Sequence, residues 1–276
     1  MSIFDTEIMN PIFIFVDGSY FCFYRYYALL QWWKNAYPQE EIPDPYQNEK
    51  FVEKFKKTFV EHLKQIPKKL KINKDVNPIM IAAKDCKRED IWRMELFSQY
   101  KANRANGKED GFMGGPFFKM VYEENLFKSG DIKAILYHPK LEADDCIALS
   151  VKYVLEKYPQ SNIYIITSDR DYLQLQSENV QIFNLAYKNL KSSGNSERDL
   201  AIKILMGDSS DNIPSVFPKC GEKTAIKCLE DKAFFDKKMD NNSEYYKQYE
   251  LNQTLVRFDK IPYNLQEEFI EKCIKI

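Results

Sequence analysis

The feature that most constrains this chain is a recurrence: short apolar runs that end within a few residues of a carboxylate. "PIFIFV" (11–16) is followed by Asp17, and "PIMIAA" (78–83) by Asp85. "KAILYH" (133–138) leads to Glu142, Asp144 and Asp145, and "NIYIIT" (162–167) to Asp169 and Asp171. A fifth run, "VQIFN" (180–184), has the same character without the acid. Short apolar runs bounded by Pro, Gly, Asp and Asn read as buried strands. Helical patterns lie between them. In 49–66, Val52, Phe55, Phe59, Leu63 and Ile66 recur at three- and four-residue steps, with lysines opposite and Pro67 as the expected stop. In 143–157, Ile147, Val151, Val154 and Leu155 make an apolar stripe. Strands alternating with helices predict an α/β fold, a mostly parallel central sheet flanked by helices on both faces.

From about residue 185 the strand signal stops, and 197–207, 221–230 and 243–258 read as helices. The expected organisation is an α/β core over 1–185 and a smaller helical part over 186–276, packed on the core rather than tethered. The segment 101–116 is basic and holds four of the nine glycines. It reads as a flexible gateway over a site, extending to about residue 120. The amphipathic tail 260–276 is expected to pack on the core.

Composition narrows the chemistry. The six cysteines form no CxxC pair, which favours reduced thiols in a cytoplasmic setting over disulfides or a zinc site. Two histidines, His62 and His138, leave little for a histidine-based metal site or triad. No apolar run approaches the ~20 residues of a membrane span, and the N-terminus has no basic n-region, so neither membrane nor signal peptide is expected. The net charge of −1 conceals segregation: nine lysines between Lys50 and Lys74 face only Glu53 and Glu61. A polyanionic partner beside a cation site fits that pattern.

In an open parallel sheet, ligands bind beyond the carboxyl ends of the strands. Asp17, Asp85, Glu142, Asp144, Asp145, Asp169 and Asp171 all follow strands, and Asp208 and Asp211 in "GDSSDNIP" open the helical part. Taken singly, Asp17-Gly18 is an ordinary turn, Asp169 or Asp208 an ordinary helix cap, and the lysine-rich helix a solvated face. Taken together, nine carboxylates at one edge without His or Cys describe a site for hard divalent cations, Mg²⁺ or Mn²⁺.

"VDGSYFCFYRYYAL", "DCKREDIWRMELFSQYKANR", "EADD", "TSDRDYLQL" and "GDSSDNIPSVFPKCGEKTAIKCL" follow, in order, the motifs of the flap endonuclease and 5′-3′ exonuclease family. Over residues 12 to 230 the chain resembles that family, nearest its phage replication nucleases of the ribonuclease H type. The resemblance implies a PIN-like 5′-nuclease core binding two divalent metals, Mg²⁺ or Mn²⁺. Asp17, Asp85, Glu142, Asp144 and Asp145 match the set for one metal, and Asp169, Asp171, Asp208 and Asp211 that for the second. Lys101 and Arg104 match basic residues that touch the scissile phosphate, with Arg93 and Arg25 at basic positions nearby. Gly221, Lys223, Thr224 and Lys227 match the hairpin and second helix of a helix-three-turn-helix element over about 200–230, which holds duplex backbone. Only Gly221 of the usual Gly-x-Gly hairpin is present, which weighs against a K⁺ ion there. Cys86 stands where relatives commonly carry glycine.

The implied activity is 5′-3′ exonuclease, flap endonuclease or removal of RNA annealed to DNA in replication. The implied partners are DNA and RNA/DNA hybrids with 5′ ends or flaps, a single-strand-binding protein or sliding clamp being open, and the chain a monomer. Two other readings stay open at this point. A PIN-type ribonuclease for single-stranded RNA shares the acids but needs neither "YKANR" nor "GEKTA". A non-catalytic junction binder predicts missing carboxylates, and none is missing. An aspartyl-nucleophile phosphatase needs a DxD pair that "VDGSY" lacks.

Overall fold

From Phe13 to Val16 every residue of the first strand is fully buried, and a strand apolar on both faces must be covered on both. The structure, a computed structural model, describes residues 2–40, 42–104, 112–192, 194–239 and 242–275. Its strands are β1 (Ile12–Asp17), β2 (Ile79–Ala83), β3 (Ala134–Leu136), β4 (Asn162–Ile166), β5 (Val180–Phe183) and β6 (Asn189–Leu190), in the order β3-β2-β1-β4-β5-β6. All neighbours run parallel except β5 and β6.

Alternation along the strands sorts side chains into two cores. Phe13, Phe15, Ile81, Ile163, Ile165 and Ile182 face one side, where α6 (Ala143–Lys157) covers them with Cys146, Ile147, Val151 and Val154. Ile14, Val16, Met80, Ala82 and Ile166 face the other. There they meet α1 (Gly18–Ala36), α2 (Glu49–Lys69), α4 (Gly115–Glu123) and α5 (Leu126–Ser129), while a short α3 (Trp92–Leu96) lies beyond β2 in the chain. The expected helix stripe holds: Phe55, Phe59, Leu63 and Ile66 are buried.

Two expectations are corrected. Pro67 does not stop α2, which continues to Lys69. Proline forfeits only the bond its missing N–H would make, and one turn from the end that loss is small; the Leu70 N–H still reaches the Ile66 carbonyl at 2.9 Å. Nor do strands end at 185. Asn184 Oδ1 accepts the N–H groups of Ala186 and Lys188, turning the chain so that β6 pairs antiparallel with β5. Two residues carry no periodicity, so this strand left no signal.

The helical part comprises α7 (Ser196–Met206), α8 (Glu222–Glu230), α9 (Lys232–Met239) and α10 (Ser243–Val256). Leu200, Ile204, Leu255 and Val256 pack against Ile91 and Tyr100, joining α7 and α10 to the 91–100 segment. The chain then returns to the α/β core through α11 (Tyr263–Phe269): Phe258, Ile261, Leu265, Phe269 and Ile274 all enter the α6-side core. The Ile3 N–H donates to the Ile274 carbonyl at 2.9 Å, tying the two ends together. Phe269 is fully buried, so Phe269→Ala is expected to lower unfolding free energy by about 3–5 kcal/mol in urea titration; a change within the error of wild type would show that the tail is dispensable.

Candidate metal centre

The strand order reverses between β1 and β4, so a crevice opens at their carboxyl ends. Asp17 stands at its lip, ending β1 and capping α1. It accepts the Tyr20 N–H at 3.0 Å and the hydroxyls of Thr167 and Tyr172 at 3.3 Å each. Burial, and then the charge of Asp85, pushes Asp17 up to about 7. Gly18 permits this closeness, since a Cβ there would stand 2.4 Å from the Ala83 carbonyl oxygen. Asp85 accepts Ser19 Oγ at 2.5 Å and the Ala143 N–H at 2.8 Å, locking the start of α6 to the end of β2.

The first acidic cluster is the start of α6. One carboxylate oxygen from each of Glu142, Asp144 and Asp145 lies within 4.8 Å of the others. Its floor is Arg93, 2% exposed. The guanidinium forks onto Asp145 with two 2.7 Å bonds, reaches Glu142 at 3.1 Å and gives Nε–H to the Leu255 carbonyl at 2.8 Å. Trp92 Nε1 adds a 3.0 Å bond to Asp145. Burial, with Asp145 and Glu142 beside it, holds the Asp144 carboxyl well above the usual range, and Arg93 and Lys101 offset that only in part.

The second cluster is Asp171, Asp208 and Asp211, also within 4.8 Å. Asp171 belongs to the 3-10 turn Arg170–Leu175 after β4. Asp208 and Asp211 sit on the turn after α7, which begins at Gly207 with φ +73°; a Cβ there would lie 2.3 Å from the Ile213 carbonyl oxygen. Lys203, from α7, places its ammonium between Asp171 (2.5 Å) and Asp208 (2.6 Å). Burial would raise Asp208, but the bonds from Lys203 and Ser210 outweigh it and bring the carboxyl to about 2. Burial raises Asp171 and Asp211, Lys203 opposing it at the former and Lys101 and Arg104 at the latter. A cleft of about 800 Å³ opens beside this cluster.

The segment 99–104 bridges the two clusters. Tyr100 donates to Glu142 at 3.0 Å and to Asp211 at 3.3 Å. The Lys101 ammonium contacts Glu142 and lies 3.8 Å from Asp211. Arg104 reaches Asp211 at 2.6 Å. Asp169 acts on both Asp17 and Asp171, and Glu142 on Asp211, so the nine expected carboxylates form one continuous field. Against them stand Arg93, Lys101, Arg104 and Lys203. All the donors are oxygens, and the negative charge is in excess, which fits hard divalent cations.

Other expected residues lie differently. Arg93 is buried beneath the acids with four of its five N–H donors given to Asp145, Glu142 and the Leu255 carbonyl, and it stands there as their counter-ion. Arg25 sits on α1 about 12 Å beyond Asp17 at 1.5 Å per residue; it is 9% exposed, its Nε has no partner among the described residues, and burial lowers its pKa. Gly221 caps α8 without a side-chain bond, Thr224 N–H bonds its carbonyl at 2.9 Å, Lys223 is exposed, and Lys227 lies 4.3 Å over the Phe234 ring. Of the gateway, 105–111 lie outside the described residues. Tyr100, Lys203, Trp92 and Ser19 were not foreseen; "SQYKANR" held Tyr100 beside an expected cation, and Lys203 lies on the helix leading into Asp208.

Residues 12–201 match the family profile described as 5′-3′ exonuclease, N-terminal resolvase-like domain. A 5′-3′ exonuclease of Buchnera aphidicola subsp. Schizaphis graminum is 30% identical over 255 residues, spanning 89% of this chain and 76% of the relative. Ribonuclease H of Enterobacteria phage T4 is 29% identical over 209 residues, 67% of this chain and 66% of the phage protein. Among solved structures, the bacteriophage T5 D15 flap endonuclease, in a complex with DNA and metal ions, superposes with a TM-score of 0.63 at 16% identity, covering 95% of this chain and 97% of that one. The chain belongs to the 5′-3′ exonuclease family, and it is a nuclease with a PIN-like fold.

Removing Arg93 leaves Asp145 buried without its forked counter-ion and takes from Glu142 one of its two cations, Lys101 being the other. Arg93→Ala is expected to cost about 3–5 kcal/mol of folding stability, measured by urea unfolding, with Arg93→Met/Asp145→Leu recovering part of it. Wild-type stability in Arg93→Ala would mean that the pair does not hold the floor.

Proposed function

We propose that the chain is a divalent-metal-dependent, structure-specific 5′ nuclease. In this reading it hydrolyses phosphodiesters of DNA flaps and of RNA annealed to DNA, from 5′ ends or at flap junctions, as in primer removal during replication. The observation that carries the reading is the single acidic field at the switch point of the sheet, with Lys101 and Arg104 at its edge. The relatives' names, exonuclease and ribonuclease H, point to the same substrate class.

Glu142, Asp144 and Asp145, with Asp17 and Asp85 nearby, would hold one Mg²⁺ or Mn²⁺; Asp171, Asp208 and Asp211, with Asp169, the other. When bound, such ions supply activation of water and neutralisation of charge on the phosphodiester. The protein's own residues do the rest. Arg93 fixes Asp145 and Glu142 in place. Tyr100 ties Glu142 to Asp211, setting the separation of the two clusters. Lys101 and Arg104 sit on long stems and serve the phosphate as cationic donors, worth most when charge builds in the transition state. Lys203 now neutralises Asp171 and Asp208 and competes with a divalent ion for the same oxygens.

We assign the sheet through β6, with the returning segment 258–275, to the nuclease core and α7 to α10 to a DNA-binding part, in place of a division at 185. There α7, the turn and α8 correspond to a helix-three-turn-helix. The uncapped N–H groups of α8 at Gly221, with Lys223 and Thr224, suit a duplex phosphate.

The test is cleavage of 5′-labelled substrates by wild type and Asp169→Ala, with Mg²⁺ and with EDTA. The substrates are a 5′-flap duplex, an RNA–DNA hybrid with a free RNA 5′ end, and single-stranded RNA. Mg²⁺-dependent cutting of the first two, lowered at least about 100-fold in the variant, is expected. Cutting of single-stranded RNA alone would contradict the proposal in favour of a single-strand ribonuclease.

A further inference from the structure

Asn252 is fully buried and sits near the end of α10. A buried amide costs stability unless its hydrogen bonds are made, and asparagine is a poor helix former, so what explains the position is what the side chain bonds. Its Nδ2 gives both hydrogens to other segments, donating to the Ile204 and Pro214 carbonyls at 2.9 Å each. Its Oδ1 accepts from Gln248 at 2.8 Å, which fixes the orientation of the amide. Ile204 and Pro214 flank the turn that carries Asp208 and Asp211. Ile204 belongs to the last turn of α7, and the Asp208 and Ile213 backbones close the loop by bonding each other at 2.8 and 2.9 Å. One side chain therefore grips both stems of the acidic turn.

The same helix end holds the other acid-bearing segments. The last carbonyls of an α-helix have no partner within it, and those of Leu255 and Val256 are taken by side chains from elsewhere. Arg93 Nε, beneath the first cluster, donates to Leu255 at 2.8 Å. Gln174 Nε2 donates to Val256 at 3.0 Å, and Gln174 Oε1 accepts the Phe258 N–H at 3.2 Å. Gln174 follows Asp171 on the same 3-10 turn. The Asp171 turn, the Asp208–Asp211 turn and the Arg93 floor are thus all bonded to 252–258, a stretch that supplies none of the nine acids.

We propose that Asn252 and Gln174 are positioning residues of the second cluster, setting through α10 the separation of Asp171 from Asp208 and Asp211. The inference rests on the two-ion reading and names the residues outside the cluster that tune its affinity for a hard cation. Such cations need their oxygens at defined separations, and the partners standing behind the ligands hold much of that geometry. The two halves of this cluster come from different segments, and α10 is bonded to both.

The test compares wild type, Asn252→Leu, Gln174→Met and a control, Met239→Ala. The first two replace an amide with an apolar side chain. Met239 is fully buried in the helical part, packed in the cluster of Phe217 and Ala225, so its loss loosens that part with both amides in place. Mn²⁺ binding is followed by electron paramagnetic resonance, the second ion being the one that Asp208→Asn/Asp211→Asn removes. Each amide variant is expected to bind the second ion about tenfold more weakly and the first as wild type does; Met239→Ala binds both as wild type does. A second readout needs no metal. Lys203 bridges Asp171 and Asp208, so its rate of reductive methylation in EDTA, read by mass spectrometry, rises in both amide variants and not in the control. Equal weakening of both ions, or a control that matches the amide variants, overturns the proposal, since either means general loosening. Wild-type values of both readouts in Gln174→Met overturn it too, and that half-buried site decides alone if Asn252→Leu does not fold. A wild type that binds no Mn²⁺ would count instead against the two-ion reading, and the labelling of Lys203 would still decide the positioning role.

Discussion

Like-charge repulsion among the carboxylates is the constraint on which the rest of this structure depends. Two carboxylates about 4 Å apart repel by roughly 4 kcal/mol at an effective dielectric near 20, and this fold gathers nine at one edge. The protein answers with cations of two kinds. Arg93 is permanent: its fork onto Asp145 is buried with both partners, and a guanidinium does not lose its proton. Lys101, Arg104 and Lys203 come in on long side chains from the site's rim. They leave an excess of negative charge, which adds to burial in raising the carboxyls of Asp17 and Asp144. Added divalent charge relieves that excess.

The same constraint explains the architecture around the edge. The acids stay together because packed strands, helix starts and hydrogen-bonded turns anchor them at one edge. Asp17 ends the central strand, Glu142 to Asp145 start the helix that covers one core, and the Gly207 turn presents Asp208 and Asp211. The segment 91–104 then clamps these pieces together, with Ile91 and Tyr100 in one hydrophobic cluster with α7 and α10. Burial of Tyr100 thus couples the packing of the helical part to the spacing of the acids.

Much of this was legible in the sequence, and the residues show why. The apolar runs of β1, β2 and β4 are buried on both faces, so composition alone marks them, and the acids that follow inherit a common edge from parallel pairing. What escaped depended on three-dimensional proximity. Arg93 looked like any basic residue near a phosphate site, and only its 2% exposure and fork onto Asp145 make it a counter-ion. Lys203 reads as one polar position on an amphipathic helix, yet its reach of one side chain joins Asp171 to Asp208. β6, at two residues, is below any period.

The central claim is that the acidic field is completed by two divalent ions, one at each cluster. The most direct measurement is a titration of metal-free protein with Mn²⁺, counting bound ions by electron paramagnetic resonance, for wild type and Asp208→Asn/Asp211→Asn. The account predicts two ions per chain in wild type and one in the variant, whose first cluster is intact. No bound Mn²⁺ in wild type, or two still bound in the variant, would contradict it.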